Sequence, residues 1–290
     1  MPARPRATSP TGTITRGTTN PNRLRRVDRW LLHLLSPVLR QDPDRLVVDL
    51  GYGATGVTPR ELHDRLRRDF PQVRTLGLEI HPDRVAGAEA WVAPGLGFAL
   101  GGFEVPVAGT VPSGTTAGER PLAIRASNVL RQYEESEVAA AWALMAARLA
   151  PDGVLVEGTC DEIGRKQVFV TIRPAAAGLG ERLAHAAPPA VTPESLTISV
   201  DTGFIDRPSD VADRLPKALI HHNVPGERIH AYLRELDRWW DRAASLGALS
   251  ARQRWVTMAR SVRDAGVPVT HAPARWRLGE ITVEWEHVAP

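Results

Sequence analysis

The sequence predicts an α/β fold: a doubly wound, mostly parallel sheet with an antiparallel edge and an inserted hairpin and helical element. Three observations carry this expectation. Short apolar runs alternate with amphipathic stretches from residue 45 to about residue 160, the rhythm of strand–helix–strand units. The first apolar run feeds a glycine-rich turn that opens a helix. Beyond Cys160 the runs alternate apolar and polar residues instead, as antiparallel strands do when one face meets water.

The elements follow in order. From Asn22 to Arg40, Leu24, Val27, Leu31, Leu34, Leu35 and Val38 recur at helical spacing, so an amphipathic helix is expected. Asp42-Pro43-Asp44 ends it. Arg45 to Leu50 reads as a central strand buried on both faces. Gly51 to Gly56 is the turn. Thr58, Pro59 and Glu61 supply a cap, a first-turn proline and a capping-box acid for a helix to about Asp69. Val73 to Ile80 is the second strand, ending in Glu79, and a helix follows from His81-Pro82-Asp83 to about Trp91. Phe98 to Leu100 is a weaker third strand, and residues 108–120 form a loop. Leu122 to Ala126 is the fourth strand, Glu134 to Leu149 an alanine-rich helix, and Val154 to Glu157 the fifth strand. Gln167 to Ile172 and Ser195 to Val200 are antiparallel candidates. Helices are expected over Ser209 to His222, Gly226 to Leu246 and Ala251 to Ala265. Val267 to Thr270 and Glu280 to His287 form a closing antiparallel pair.

The chain has 290 residues, 43% of them hydrophobic, enough for a sizeable core. No run approaches the roughly 18 apolar residues of a membrane span. No signal-type stretch opens the chain, and Cys160 is the only cysteine. A reducing, cytoplasmic location is therefore the expectation, with no disulfide and no multi-cysteine zinc site. The net charge is +3. The basic residues are nearly all arginines, which suits a codon bias better than a nucleic-acid footprint. Residues 1–27 hold Arg4, Arg6, Arg16, Arg23, Arg25 and Arg26 and no acid. With few large apolar residues, residues 1–21 are expected to be a disordered basic tail whose removal leaves stability unchanged. Nucleic acid is the alternative partner such an arm would suit. Residues 22–290 then form one domain, with an insertion at 161–247.

Function is read from Asp49-Leu50-Gly51-Tyr52-Gly53-Ala54-Thr55-Gly56. A strand feeding a Gly-x-Gly-x-x-Gly turn lets a ligand lie against bare backbone, with helical N–H groups pointing at it. Asp49 would repel a pyrophosphate, which argues against a nicotinamide dinucleotide, but suits a cationic amino-acid ligand. Glu79 can accept two ribose hydroxyls.

These motifs resemble the class I S-adenosylmethionine-dependent methyltransferases, a Rossmann-like family. Asp49 to Gly56 is similar to the family's first motif. Glu79, in Gly77 to Pro82, matches its second-strand acid. Gly102-Phe103-Glu104 lies where the third-strand loop meets adenine, Ser127 to Leu130 resembles the end of the fourth strand, and Leu149 to Leu155 the turn into the fifth. The resemblance covers residues 45–160 and resumes at 251–287. It departs at Gly102-Phe103, where many members place an acid, and it leaves 161–247 unexplained. It implies S-adenosyl-L-methionine as cofactor, bound by Asp49, Gly51, Tyr52, Gly53, Glu79, Ile80, Gly102, Phe103, Asn128 and Val129. It implies methyl transfer to an unidentified acceptor, a small molecule in preference. A non-catalytic S-adenosylmethionine-binding regulator and a nicotinamide-dependent oxidoreductase are the alternatives.

No general base stands out. Asn128 reads equally as a ligand contact and a strand cap, and Tyr133 as a packed aromatic. Cys160-Asp161-Glu162 reads as a solvated turn. His221, His222 and His230 do not make a metal set, since adjacent helical positions point apart. Trp239 and Trp240, with Leu233 and Leu236, read as a packing face. Residues 161–247 are expected to wall the acceptor pocket or to support a homodimer.

Overall fold

The computed structural model describes residues 10–17, 19–107, 111–174, 190–271 and 273–290. Its elements in chain order are α1 (Arg25–Leu39), β1 (Leu46–Leu50), α2 (Val57–Asp69), β2 (Arg74–Glu79), α3 (Pro82–Gly87), β3 (Leu96–Leu100), β4 (Ala123–Ser127) and α4 (Glu135–Ala146). Then come β5 (Val154–Cys160), β6 (Lys166–Ile172), β7 (Ser195–Val200), α5 (Lys217–Ile220), α6 (Arg228–Arg242), α7 (Ala251–Asp264), β8 (Val269–Thr270), α8 (Pro273–Trp276) and β9 (Glu280–Glu284).

The strands form one nine-stranded sheet in the order β3-β2-β1-β4-β5-β6-β7-β9-β8. β3 to β5 run parallel. From β5 onward every pairing is antiparallel. The doubly wound order is visible in the core. Val47 joins the apolar cluster of α1 and α2 on one face. Leu46, Val48 and Leu50, alternating with it, join the cluster of α4, α6 and α7 on the other.

Several expectations change in detail. β6 follows β5 by a short turn and pairs with it directly, so β6 and β7 extend the sheet rather than standing outside it. The closing strand β9 pairs with β8 as expected, and with β7 on its other side. The wet face expected on β6 and β7 is buried. The N-terminal end of α1 covers part of it: Val27 N donates to Gln167 Oε1 at 2.9 Å. Thr197 of β7 and Thr282 of β9 hydrogen-bond to each other at 2.9 Å. The helix expected over 209–222 is two short pieces, a 3-10 turn at Pro208–Arg214 and α5, broken at Leu215-Pro216. Thr58 does not cap α2, whose N-cap is Gly56 with no side-chain bond. Glu61 instead accepts from Asn22 N at 2.7 Å.

Glu157 on β5 is 1% exposed. Trp142 Nε1 donates to its Oε2 at 3.3 Å, and its Oε1 has no partner. Burial pushes this carboxyl up to about 8 from 4.5. The folded state therefore holds the proton where the unfolded chain has lost it, and stability falls as pH rises from about 4.5 to about 8. Glu157→Gln is expected to raise the denaturation midpoint at pH 7 and to flatten its pH dependence across that window. Equal midpoints for both proteins from pH 5 to pH 8 would contradict this.

Candidate functional site

From β1 the chain winds outward through β2 to β3, then returns to place β4 on the other side of β1. Crossovers leave this switch point in opposite directions, so a crevice opens beyond the carboxyl ends of β1 and β4. A cavity of about 490 Å³ lies there, lined in part by Gly51, Tyr52, Gly53, Ser127 and Asn128. Gly51 and Gly53 adopt φ of 68° and 88°, conformations that favour glycine. A Cβ on Gly51 would also stand 2.7 Å from Val129 Cγ2. Val129 therefore supports the turn from behind.

Asp49 is 1% exposed, and protein groups already hold its charge. Arg125 Nε donates to Asp49 Oδ1 at 2.9 Å, Arg125 Nη2 to Oδ2 at 2.5 Å, and Thr58 Oγ1 to Oδ2 at 2.9 Å. Arg125, fully buried on β4, also pairs with Asp28 of α1, which in turn pairs with Arg65 of α2. Burial alone would lower the Arg125 pKa, but the two carboxylates hold it above its ordinary value. Asp49, expected to suit a cationic ligand directly or through water, lines the cavity and is at the same time an internal brace of the turn. Its repulsion of a pyrophosphate is blunted for the same reason.

Glu79 ends β2 at 1% exposure. Gly53 N donates to its Oε2 at 2.9 Å, and Ile80 N and His81 N donate to its Oε1 at 3.0 and 3.2 Å. Arg84 approaches Oε1 at 3.5 Å. The carboxylate therefore sits over the turn, held by three backbone donors.

The largest departure is the N-terminal segment. Residues 1–9 of the expected disordered tail lie outside the described residues. Residues 10–17 and 19–21 form a strap across the carboxyl edge of the sheet. Phe103 N donates to Thr11 O at 2.9 Å, and Thr11 N to Glu104 Oε2 at 2.7 Å. Thr13 N donates to the Tyr133 hydroxyl, and Gln132 Nε2 to Thr13 O at 3.1 Å. Arg84 Nη2 donates to Thr15 O at 2.8 Å, Ala54 N to Gly17 O at 2.9 Å, and Thr19 Oγ1 to Tyr52 O at 2.9 Å. Few apolar side chains are involved, so hydropathy gave no sign of it. Gly102 did give one: a Cβ there would collide with the Thr11 carbonyl. Arg23, Arg25 and Arg26 are likewise not a free basic arm. Arg23 Nε donates to Asp161 O at 3.0 Å, Arg25 Nη1 to Ile163 O at 2.7 Å, and Arg26 Nε to Gly164 O at 3.1 Å.

The other candidates separate clearly. Asn128, at φ 61°, staples β4 to β5: its Oδ1 accepts from Cys160 N at 3.0 Å, and its Nδ2 lies 3.0 Å from Cys160 Sγ. It is a strand cap that also lines the cavity. Tyr52 packs edge-on against Phe98, with ring centroids 5.3 Å apart. Phe103 packs on Tyr133 at the same separation, and a Cβ on Gly12 of the strap would stand 3.7 Å from Ile80 Cδ1. Burial raises the Cys160 thiol pKa. His222 pairs with Glu135 at 2.7 Å and with Glu227 at 3.4 Å. Among the described residues no group of three His, Cys, Asp or Glu side chains could hold a metal. Trp240 donates to Asp206 O at 2.8 Å and packs near Trp255. Among the described residues of 161–247, Glu162 and Arg214 reach the cavity, while Trp239 and Trp240 do not. Composition did not single out Arg125, Arg131 or Arg214. A charge inside the apolar run Leu122 to Ala126, and Asp28 on the apolar face of α1, were the available signals for the buried ion chain.

No family model matches the chain, and no curated protein matches it. Solved structures that it is similar to include a magnesium protoporphyrin IX methyltransferase from Synechocystis with bound S-adenosylmethionine, at 18% identity and TM-score 0.33, over 47% of this chain and 56% of that one. A sugar N-methyltransferase from Streptoalloteichus is similar at 17% identity and TM-score 0.30, over 59% of this chain and 63% of that one. A pericyclic reaction enzyme is similar at 16% identity and TM-score 0.32, over 44% and 30%. The chain spans less than two thirds of the length of each. At these TM-scores the function has to be read from the site's own residues.

Proposed function

We propose that this chain binds S-adenosylmethionine at the turn after β1 and transfers its methyl group to a small-molecule acceptor. The observation that carries the reading is Glu79. Its buried carboxylate ends β2 and accepts from Gly53 N inside the glycine turn, at the switch point of a doubly wound sheet. The residues fit the cofactor in two halves. The cavity at Gly51 and Asn128 has room for the amino-acid half. On the adenosine side Glu79 offers acceptors for ribose and Phe103 N a donor for adenine, and the strap covers that side. Binding therefore requires residues 11–17 to yield. Bound there, the sulfonium supplies an activated methyl group, and the protein's task is alignment of an acceptor across the cavity. Gly53 keeps a side chain out of the approach, Gly51 lets the turn pack on Val129, and the Asp49–Arg125 pair holds the turn in place.

A nicotinamide dinucleotide suits the sheet less well. The dinucleotide fold repeats its parallel unit as a sixth strand, whereas the strand after β5 here is antiparallel. Titration calorimetry on the full chain tests the choice. S-adenosylhomocysteine is expected to bind, and NAD to bind far more weakly. Glu79→Gln is expected to weaken S-adenosylhomocysteine about ten- to a hundredfold, the worth of a charged hydrogen-bond acceptor. Tight NAD binding with no response to the sulfur compound would overturn the reading. Thr11 O occupies the Phe103 N–H that adenine would use, so binding has to displace it.

A further inference from the structure

Away from the cavity, two histidines meet on the surface. His33 lies on α1 and His271 directly follows β8. Both are exposed. Their ring centroids are 5.5 Å apart, with the ring planes at 71°. Two imidazoles bound at about 2.1 Å to one metal, at a near-tetrahedral angle, have centroids about 5 Å apart. The pair therefore already has close to the spacing of a chelate.

Packing holds the rings in place. Trp30, fully buried and three residues before His33 on α1, meets His271 edge-on at 4.8 Å and His33 at 5.9 Å. Trp30 in turn packs on Phe169 of β6 at 5.8 Å. Among the described residues no group hydrogen-bonds to a ring nitrogen of His33 or His271. Partial burial lowers both imidazole pKa values, and Arg275 lowers them further. Both rings are therefore neutral at pH 7, with a lone pair on each open to a metal. Arg275 and Arg29 share the buried carboxylate of Glu280, each at 2.5 Å. Beside two guanidinium groups a cation held by charge alone is disfavoured. A metal that bonds to imidazole nitrogen through its own ligand chemistry is much less so.

We propose that His33 and His271 together bind one late first-row divalent metal ion, Cu2+ in preference to Zn2+, with water filling the remaining positions. The order follows from the rising affinity of imidazole sites along that row to copper. The ion joins α1, the helix that follows the strap, to the segment between β8 and α8 at the antiparallel edge of the sheet. Neither histidine lines the cavity at the glycine turn, so the site stands independently of the methyl-transfer reading.

The test is a calorimetric titration of the untagged full chain at pH 7 with Cu2+, Zn2+ and Mg2+ in turn. One Cu2+ per chain is expected, with Zn2+ weaker and Mg2+ not bound. His33→Ala and His271→Asn are each expected to weaken Cu2+ about tenfold or more, at least what the loss of an outer-shell partner costs a metal site. Asparagine suits the backbone of His271, whose φ is 70°, so the segment keeps its shape. His221→Ala, an exposed histidine elsewhere, should leave binding unchanged. Saturating Zn2+ should raise the denaturation midpoint of the parent chain and not that of the double variant. Circular dichroism checks that each variant is folded. Absence of Cu2+ binding, equal affinity in the parent and the double variant, or Mg2+ binding as tightly as Cu2+ would overturn the proposal. A midpoint that Zn2+ moves equally in both proteins would overturn the joining of α1 to the β8 segment.

Discussion

Arg125→Ala is expected to cost about 3–5 kcal/mol of folding stability, the range for removing one member of a buried ion pair. Arg125 lies inside the sheet at 0% exposure, between Asp49 of β1 and Asp28 of α1. Removing it leaves two buried carboxylates facing each other across the space of one side chain. Burial already pushes the Asp28 carboxyl up against the pull of Arg125 and Arg65, so Asp28 would gain a proton in the variant. Adding Asp28→Asn and Asp49→Asn to Arg125→Ala should return part of the loss, since no uncompensated charge would remain. Denaturant midpoints measure both. A loss below about 1 kcal/mol for Arg125→Ala would show that the chain Arg65–Asp28–Arg125–Asp49 does not brace the β1 turn.

The second large effect concerns the strap. Its bonds to Phe103, Glu104, Tyr133, Arg84 and Ala54 each contribute about 0.5–1.5 kcal/mol. Ordering its backbone opposes them by about 1–2 kcal/mol per residue. The net hold is therefore modest, and a ligand that must displace it binds more weakly by the same factor. Tyr133→Phe removes the hydroxyl that accepts from Thr13 N and should loosen the strap without touching Glu79 or Phe103 N. S-adenosylhomocysteine is then expected to bind about tenfold tighter than to the parent chain, with faster amide exchange at Phe103 and Ala54. Unchanged affinity, with the strap released by exchange, would mean that residues 11–17 do not compete with the ligand. Weaker binding would make the strap a wall of the site.

These two effects also mark where the sequence was legible. The run from Val47 to Gly56 and the acid at Glu79 announced themselves through local pattern, because strand, turn and helix follow one another there. The succession of β1 to β5 along the chain and the antiparallel edge were readable for the same reason. Asp49's partner was not, because Arg125 and Asp28 come from distant elements and meet through packing alone. The strap was hidden for a different reason. It is held chiefly by backbone groups, which composition does not encode, and its own side chains are small and polar. The one residue that hinted at it, Gly102, stood out as an acid missing from a familiar position. Its meaning is room for the Thr11 carbonyl, with Glu104 receiving the Thr11 N–H.

The most direct test is a crystal structure of the full chain with saturating S-adenosylhomocysteine. The account predicts ribose hydroxyls on the Glu79 carboxylate and the adenine edge on Phe103 N. It predicts the sulfur near Gly51, and Thr11 to Gly17 moved off the sheet edge. Density for the ligand elsewhere, or none with Thr11 still bonded to Phe103, would contradict it.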